Sequence, residues 1–242
     1  PKVDAGFGIK TCVVLDEQVG QKMVHRVRIL EAENVTHDVR RFRFEKPAGY
    51  AFEPGQATDV MIDRAGWREK KRPFTFTCLR DRDYLEFTIK IYSDHDGVTN
   101  QLGGLGAGDH LLIEDPWGTI QYKGKGIFIA GGAGITPFIA ILRDLAEKSE
   151  IEGNQLFFAN KTERDIILRD TWEKMRGLGH VFVTDDGSGG FPSSRIDKAF
   201  LERHVRDFGQ HFYVCGPDRM VADLKATLKE LGAEPDALVF EK

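Results

Sequence analysis

Residues 126–137 read GIFIAGGAGITP, an uncharged apolar run that leads into a glycine cluster and a Thr-Pro pair. The apolar run predicts a buried strand, and the spacing over residues 135–148 predicts a helix. A glycine turn between strand and helix lets backbone amides approach a pyrophosphate, and the helix N-terminus adds about half a positive charge. Pro137 suits the first helical turn, although it stands where the GxGxxG pattern has its third glycine. The stretch indicates a dinucleotide loop, with a ligand-free tight turn as the alternative.

The alternation of strand and helix continues to the end of the chain. Short apolar runs predict strands over residues 155–159, 181–184, 212–215 and 237–240. Helical spacing predicts helices over residues 166–175, 193–204 and 217–231, the second of them capped by Ser193 and Ser194. Strict alternation is typical of an α/β doubly wound parallel sheet. We therefore expect a dinucleotide-binding domain over residues 123–242.

The first half of the chain has a different rhythm. Short apolar or alternating runs predict strands over residues 40–45, 58–62, 74–79, 84–92 and 110–114, with one short helix over 98–105. Many short strands with polar turns indicate an antiparallel β-barrel or sandwich. The polar connection over residues 122–125 separates the two rhythms, so we place a first domain over residues 21–122.

The composition excludes several classes of protein. With 34 Lys and Arg against 38 Asp and Glu, the net charge is −4, so no basic excess points to nucleic acid or an anionic membrane. Cys12, Cys78 and Cys215 are too few and too widely spaced for a disulfide framework, a CxxC metal site or a plant-type iron–sulfur centre. They favour a reducing, cytoplasmic setting. Residues 1–10 lack the apolar core of a secretory signal, and residues 126–142 are too short and glycine-rich for a transmembrane segment.

Three further motifs place polar groups where a ligand can bind. Residues 72–75, RPFT, put a cation, an aromatic ring and a hydroxyl on one strand, although packing alone also explains this pattern. Residues 96–100, DGVTN, put a glycine turn at a helix start, which is either an anion site or plain capping. Residues 215–217, CGP, end a strand at the sheet edge where doubly wound sheets bind ligands. A small, buried Cys215 is the alternative there.

Five motifs in this order resemble those of the ferredoxin–NADP reductase superfamily, and most closely its small flavodoxin-reductase-like members. They are residues 54–56 (PGQ), 72–75, 97–99 (GVT), 132–137 and 215–217. The resemblance implies a six-stranded antiparallel barrel that holds FAD, followed by a domain that binds NADH or NADPH. It also implies hydride transfer from the nicotinamide to FAD. The electrons then pass to a separate electron-carrier protein, such as a flavodoxin, a ferredoxin or an oxygenase component, or to a small-molecule acceptor.

The resemblance assigns FAD to the barrel. Arg72 is expected to pair with the FAD pyrophosphate, Phe74 to stack on the isoalloxazine and Thr75 to act catalytically by bonding near flavin N5. Phe74 stands where the family usually has Tyr, and the lost hydroxyl is worth about 1 kcal/mol of FAD binding. The other FAD contacts implied are Pro73, the strand residues Ile89, Lys90 and Ile91, and the backbone of Gly97, Val98 and Thr99.

The resemblance assigns the dinucleotide to the second domain. Its pyrophosphate is expected to lie on the glycine cluster, and its nicotinamide beside the Cys-Gly-Pro motif, where Cys215 is the second catalytic candidate. The implied contacts are Gly132, Ala133, Gly134, Thr136, Cys215, Gly216 and Pro217.

Two positions bear on cofactor preference and on shielding of the flavin. Asp185 follows the third strand of the second domain, where a carboxylate accepts a bond from a ribose 2′-hydroxyl and repels a 2′-phosphate. NADH is therefore favoured over NADPH. The opposing observation is that three nearby cations can turn toward a 2′-phosphate, namely Lys161, Arg164 and Arg195. Phe240 resembles the family's terminal aromatic that shields the flavin, but two residues follow it, and a core position is equally open.

Two rival functions stay open on the sequence. One is a flavin-binding electron-transfer subunit that is active only within a larger complex. The other is a regulatory nucleotide-binding module without flavin, against which residues 72–75 and 97–99 speak. No metal site is expected, and no oligomeric state is indicated. An acidic carrier protein can dock on a set of basic residues, namely Arg40, Arg41, Arg68, Lys70 and Lys71, unless these form only a solvated face.

Overall fold

The computed structural model of the protein describes residues 23–118, 120–234 and 238–240. The expectation for residues 1–10 falls outside the described residues, and so do Cys12 and the side chain of Phe240. Two β-sheets organise the described chain, the first antiparallel and the second parallel. Across these residues, the helices are all too short or too polar to span a bilayer.

Seven antiparallel strands build the first sheet. They are β1 (His25–Asn34), β2 (Val39–Glu45), β3 (Gln56–Ile62), β4 (Arg72–Thr75), β5 (Tyr84–Lys90), β6 (His110–Ile113) and β7 (Trp117–Gly118). The strand order is β4-β3-β6-β1-β2-β5, with β7 paired to β3. An isolated bridge between Phe76 and Phe87 joins the two ends of this order, so the sheet closes into a near-barrel. The short helix α1 (Val98–Gly103) links β5 to β6. The predicted antiparallel barrel is confirmed.

Two strands of the barrel were not predicted from the sequence. Only two of the ten residues of β1, Val27 and Ile29, are fully buried, and charged residues surround them. The apolar alternation of β1 is therefore too brief to stand out. The two-residue β7 gives no periodic signal at all.

Five parallel strands build the second sheet. They are β8 (Gly126–Gly131), β9 (Gln155–Asn160), β10 (Gly179–Thr184), β11 (His211–Cys215) and β12 (Leu238–Phe240). Between them run α2 (Thr136–Glu147), α3 (Arg169–Lys174), α4 (Lys198–His204) and α5 (Asp218–Glu230). The strand order is β10-β9-β8-β11-β12, and separate apolar cores cover the two faces. All six residues of β8 are buried, as a central strand covered on both faces requires. The predicted doubly wound sheet is confirmed.

Two predicted helices differ from the observed ones. The helix expected over 166–175 begins only at Arg169, because a 3₁₀ turn with its own capping box at Thr162 precedes it. The helix expected to be capped by Ser193 and Ser194 begins at Lys198. Its cap is Asp197, whose carboxylate accepts the Phe200 amide at 2.9 Å.

The predicted serine cap is wrong because the backbone around it is paired elsewhere. Residues 187–196, here called the return segment, fold back along the end of β10. Ser193 forms a parallel bridge with Thr184, and the Ser194 amide donates to the Thr184 carbonyl at 3.3 Å. The Ser193 hydroxyl donates to the carbonyl oxygen of Asp185 at 2.9 Å.

The two sheets pack against each other through a shared apolar core. Val39 and Ile120 from the barrel side join this core with residues of α2 such as Ile141. Gly55 lies at the junction with a φ of +93°, and a Cβ atom there would lie 2.0 Å from the Ile120 carbonyl oxygen. The Pro-Gly-Gln motif therefore has a packing explanation, since only glycine fits this contact.

Candidate active site

The glycine loop, defined as residues 131–135, and the Cys-Gly-Pro turn, residues 215–217, lie side by side. Their strands β8 and β11 are neighbours in the sheet, with Ala130 paired to Cys215. The chain leaves β8 toward β9 on one side, whereas β11 lies on the other, so this is the point where the strand order reverses. Ligands of doubly wound sheets bind in the crevice at such a point.

The backbones of these two segments are in direct contact. A Cβ atom on Gly134 would lie 2.3 Å from the Cys215 carbonyl oxygen, and one on Gly216 would lie 3.2 Å from the Gly131 Cα atom. Gly134 and Gly216 therefore serve close packing between the segments. The sequence analysis allowed either a phosphate contact or a tight turn at Gly134, and the structure shows the close packing of a tight turn.

Gly132 has the opposite surroundings. Its φ is +51°, and no heavy atom lies within 4 Å of where its Cβ would be. It opens the 3₁₀ helix Gly132–Ile135, which has no side-chain cap, so its first amides keep their hydrogen-bonding capacity. The Thr136 hydroxyl donates to the Ala133 carbonyl at 3.0 Å and braces the loop. Pro137 lies in the first turn of α2, as expected.

Cys215 is buried, whereas Gly216 is half-buried and Pro217 is exposed. The thiol thus lies beneath the crevice, and the next two residues form its surface. A nicotinamide in this crevice would meet the Cys215 thiol only at the base of the crevice.

The barrel contributes the RPFT motif on β4. Arg72 is exposed, and its guanidinium donates to the neighbouring Lys71 carbonyl at 2.8 Å. No carboxylate pairs with Arg72 within residues 23–118, 120–234 and 238–240, so its charge is uncommitted. Phe74 is half-buried with its ring centre 6.0 Å from that of Phe87, and Thr75 is buried. An exposed free cation beside a half-buried ring suits a phosphate and an aromatic ligand.

Beside β4, the end of β5 forms an edge of the sheet. β5 continues past the bridge at Phe87 to Lys90, with β2 as its only partner along that stretch in the described chain. Ile89 is buried, the Ile91 amide donates to the Asp38 carbonyl at 2.8 Å, and the Lys90 ammonium lies 2.7 Å from the Asp38 carboxylate. Burial alone would raise the pKa of Asp38, but the hydrogen bond and charge of Lys90 lower it.

The start of α1 fits the expected anion contact in outline. Gly97 is the extended N-cap residue, and no side chain caps the helix. Val98 is buried, whereas Thr99 is half-buried. The amides of this first turn therefore lack side-chain acceptors, which an anion can supply.

The end of β10 carries both signs of charge. Asp185 is exposed, and its amide donates to the Asn160 carbonyl at 3.0 Å. The Asp186 carboxylate accepts the Ser188 amide, and this contact lowers the pKa of Asp186. The return segment brings Ser193 beside Asp185, with the exposed Arg195 two residues further on.

The basic residues expected to dock a carrier protein are mostly engaged within the chain. Arg40 donates to the carbonyl oxygens of Gly103 and Leu105, at 2.6 and 2.9 Å. The remaining contacts are Arg41 with Glu33, Arg68 with Asp63, Lys71 with Glu114, and Lys70 over the Trp67 ring. Each of these cations therefore already has a partner within the barrel, and Arg68, Lys70 and Lys71 are exposed at its surface.

The sequence analysis missed one charged group at the junction of the domains. Glu86 on β5 is buried, yet its carboxylate accepts bonds from Arg43 and from Arg143 of α2. The available signal was a glutamate inside the apolar strand 84–90. The only grouping of potential metal ligands in the described chain is His37, Asp38 and Asp165, and the Lys90 ammonium beside Asp38 opposes a bound cation.

Comparison with known proteins extends over both domains. Residues 26–122 match the oxidoreductase FAD-binding domain family, and residues 128–226 match the oxidoreductase NAD-binding domain family. The probable electron transfer subunit of dihydroorotate dehydrogenase B (NAD(+)) from Pyrococcus horikoshii is 31% identical over 202 residues, 83% of this chain and 72% of that protein. The chain belongs to the ferredoxin reductase-like superfamily. The predicted family, the two-domain fold class and the cofactors FAD and nicotinamide dinucleotide are thereby confirmed.

Two further proteins are similar to this chain at lower sequence identity. The reductase component of propane 2-monooxygenase from Rhodococcus jostii is 27% identical over 236 residues. The aligned region covers 90% of this chain and 63% of that protein. A ferredoxin NADP+ reductase from Neisseria gonorrhoeae, crystallised with FAD and NADP, superposes with a TM-score of 0.79 at 19% identity, over 90% of this chain and 98% of the other. The individual residue roles and the division at residues 122 and 123 stay predictions.

The backbone contact at Gly134 predicts a specific loss of stability. In Gly134→Ala the new methyl group meets the Cys215 carbonyl, so the segments must separate, which we expect to lower the free energy of unfolding by about 2 kcal/mol or more. Gly132→Ala is the matched control, because its methyl group points into open space and only the left-handed backbone costs about 1 kcal/mol. Urea unfolding of both variants measures the difference. Equal stability of the two would contradict the packing role of Gly134.

Proposed function

We propose that the chain takes hydride from a nicotinamide dinucleotide onto FAD and passes electrons to a separate acceptor. One observation carries this proposal. The barrel offers an uncommitted cation, Arg72, beside a half-buried ring, Phe74, and the sheet packed against that barrel offers an uncapped glycine loop at its switch point. Each half fits one of the two cofactors that the superfamily uses.

FAD fits the barrel as follows. Arg72 would hold the pyrophosphate with its forked donors, and the amides at the start of α1 would add uncharged donors. Phe74 would pack on the flavin ring, and Thr75 lies one residue further along the same strand. When bound, the flavin supplies the chemistry: it accepts a hydride at N5 and releases electrons singly.

The second sheet would orient the dinucleotide. Gly132 and Ala133 present amides to a pyrophosphate, while Gly216 and Pro217 form the crevice surface on which a nicotinamide would lie. Hydride transfer needs donor and acceptor atoms about 3–3.5 Å apart, so the contribution of these residues is alignment and exclusion of water. No general acid or base is required.

The acceptor is proposed to be a separate partner. The similar Rhodococcus protein is a reductase component of a monooxygenase, and the similar Pyrococcus protein is an electron transfer subunit. The second name favours the alternative in which the chain turns over only within a larger complex. Reduction of ferricyanide by the purified chain with NADH separates the two, because a subunit active only in its complex gives no turnover alone.

We also propose a reducing, cytoplasmic setting. Within the described residues, Cys78 and Cys215 are both buried thiols, and no disulfide joins them. Burial raises the pKa of the Cys78 thiol to about 12, so this group stays protonated and unreactive.

The visible spectrum of the purified chain tests the proposed function directly. A yellow protein with flavin absorbance that bleaches on anaerobic addition of NADH or NADPH is expected. A colourless protein that still binds dinucleotide would instead support a regulatory module without flavin. A yellow protein that neither dinucleotide bleaches would overturn the reductase reading.

Arg72→Ala is expected to release FAD. The pyrophosphate loses a charge-assisted hydrogen bond worth about 1.5–3 kcal/mol, which is roughly a 10- to 150-fold weaker Kd. FAD fluorescence on dilution measures the affinity. Arg68→Ala is the control, since Arg68 is also exposed but is paired with Asp63 at 2.7 Å. If Arg72→Ala binds FAD as tightly as the control, the assignment of Arg72 is wrong.

Cys215→Ser is expected to slow flavin reduction while dinucleotide affinity stays nearly unchanged. This is the pattern of a group whose contact matters mainly in the transition state. Stopped-flow reduction over a range of NADH concentrations separates the limiting rate from the Kd. A limiting rate equal to that of the parent would make Cys215 a packing residue, in keeping with its burial.

NADH is expected to be the preferred dinucleotide. A carboxylate and a 2′-phosphate about 5 Å apart repel by roughly 3 kcal/mol per charge pair at an effective dielectric of about 20, before screening. Asp185→Ser should therefore raise kcat/KM for NADPH relative to kcat/KM for NADH, and the ratio of the two values measures this change. Asp186→Ser is the control, because the Asp186 carboxylate is held by the Ser188 amide. A parent that prefers NADPH would refute this expectation.

A further inference from the structure

One side chain of the dinucleotide domain reaches into the wall of the barrel. The Arg143 guanidinium of α2 donates through Nη1 to the Thr77 carbonyl at 2.8 Å and to the Glu86 carboxylate at 3.1 Å. Both acceptors belong to the strand segments that meet at the Phe76–Phe87 bridge, where the barrel closes. The contact therefore joins α2 to the seam of the barrel.

Glu86 is one of two buried carboxylates among the described residues, the other being Glu114. Only 2% of the Glu86 side chain is exposed, although its carboxylate is polar. Besides Arg143, the Thr77 hydroxyl donates to it at 3.0 Å and Arg43 Nε at 3.1 Å. We call these four residues, Thr77, Glu86, Arg43 and Arg143, the Glu86 cluster. A buried carboxylate needs such partners, because leaving it without them is strongly unfavourable.

The Glu86 cluster is connected to both proposed cofactor sites by short, rigid paths. Thr77 lies two residues along the chain from Thr75 on the flavin side. Arg143 lies seven residues beyond Thr136, about 10 Å along the same helix at 1.5 Å per residue. This helix is buried along most of its length, from Pro137 to Leu142. Any displacement at Arg143 is therefore transmitted to the glycine loop.

We propose that Arg143 is a positioning residue for hydride transfer, acting through Glu86 and Thr77 to fix the glycine loop relative to the flavin edge of the barrel. The inference rests on the proposed function. Arg143 touches neither proposed cofactor contact, so its effect is on alignment. Misplacement by about 1 Å far from the chemistry can lower a rate 100-fold.

A second contact between the barrel and α2 provides a matched control. Arg82 lies 2.5 Å from Glu147 near the end of α2, but the side chains are 42% and 50% exposed. Exposed pairs of this kind are screened by solvent and contribute little. The Arg82–Glu147 pair, from the turn before β5, and the Arg143–Glu86 pair thus both join the barrel to α2, and they differ in burial and in distance from the glycine loop.

The variant Arg143→Met is expected to fold. Arg43 still donates to Glu86, and Arg41 Nε lies 3.9 Å from the same carboxylate, so Glu86 keeps cationic neighbours. The apolar core shared by the two domains is unchanged. The conservative variant Arg143→Lys keeps the positive charge as a compact ammonium in place of the planar guanidinium and should recover part of the lost rate.

Stopped-flow reduction of the FAD-loaded full chain by NADH tests the proposal. In Arg143→Met the limiting rate of flavin reduction should fall at least tenfold, with the Kd for NADH within about twofold of the parent. In Arg82→Met, the limiting rate and the Kd for NADH should both stay within twofold of the parent values. Reduction by dithionite, which needs no dinucleotide, should be unchanged in every variant.

The possible results separate the two claims. A parent that is yellow but is not reduced by either dinucleotide overturns the proposed function and the inference with it. A parent that is reduced normally, with Arg143→Met reduced at the same rate, overturns the inference alone. Slower reduction by dithionite in Arg143→Met would also overturn it, because the damage would then lie in the flavin site. If Arg143→Met fails to fold, Arg143→Lys decides by the same criteria.

Discussion

Gly134 and the Cys215 carbonyl approach so closely that no side-chain carbon fits between them. This contact fixes how far apart β8 and β11 lie where the strand order reverses, and it therefore fixes the width of the crevice. The uncapped amides of the glycine loop and the exposed Pro217 lie at this crevice, with the buried Cys215 thiol beneath them. Chemistry that requires atomic distances of about 3 Å depends on such a rigid backbone reference.

The cationic side chains of the barrel differ in whether they have a partner within the barrel. Most of its arginines and lysines are satisfied by carboxylates or carbonyls of the same domain, as Arg40, Arg68 and Lys71 illustrate. Arg72 differs because, among the described residues, its guanidinium has only the neighbouring Lys71 carbonyl as a hydrogen-bond partner. A phosphate that approaches Arg72 displaces no ion pair, so the full strength of a charge-assisted bond is available to it.

The fold could be predicted largely from the sequence, because its elements have regular apolar periods. The alternating strand over residues 40–45 and the continuous run over 126–130 each carry a pattern that burial enforces. The missed β1 buries only two residues, and the true cap at Asp197 was hidden because the return segment engages Ser193 with β10 instead. Such contacts between distant parts of the chain leave no local pattern.

The candidate site was predictable in the same uneven way. Motifs of consecutive residues, such as 72–75 and 215–217, identified the segments that line it. Pairings across the domains did not show, because Arg143 and Glu86 are 57 positions apart and neither belongs to a motif. The role of the basic residues stayed open for a related reason: a sequence displays charges but not the carboxylates that pair with them.

The side chains proposed to select the dinucleotide lie away from the apolar cores and the glycine loop. Asp185, Ser193 and Arg195 are exposed positions after the end of β10, and they belong to neither of the apolar cores that cover the parallel sheet in the described chain. Substitutions there leave the apolar cores and the glycine loop untouched. The proposed choice between the two nicotinamide dinucleotides therefore depends on exposed side chains whose replacement removes no buried apolar contact.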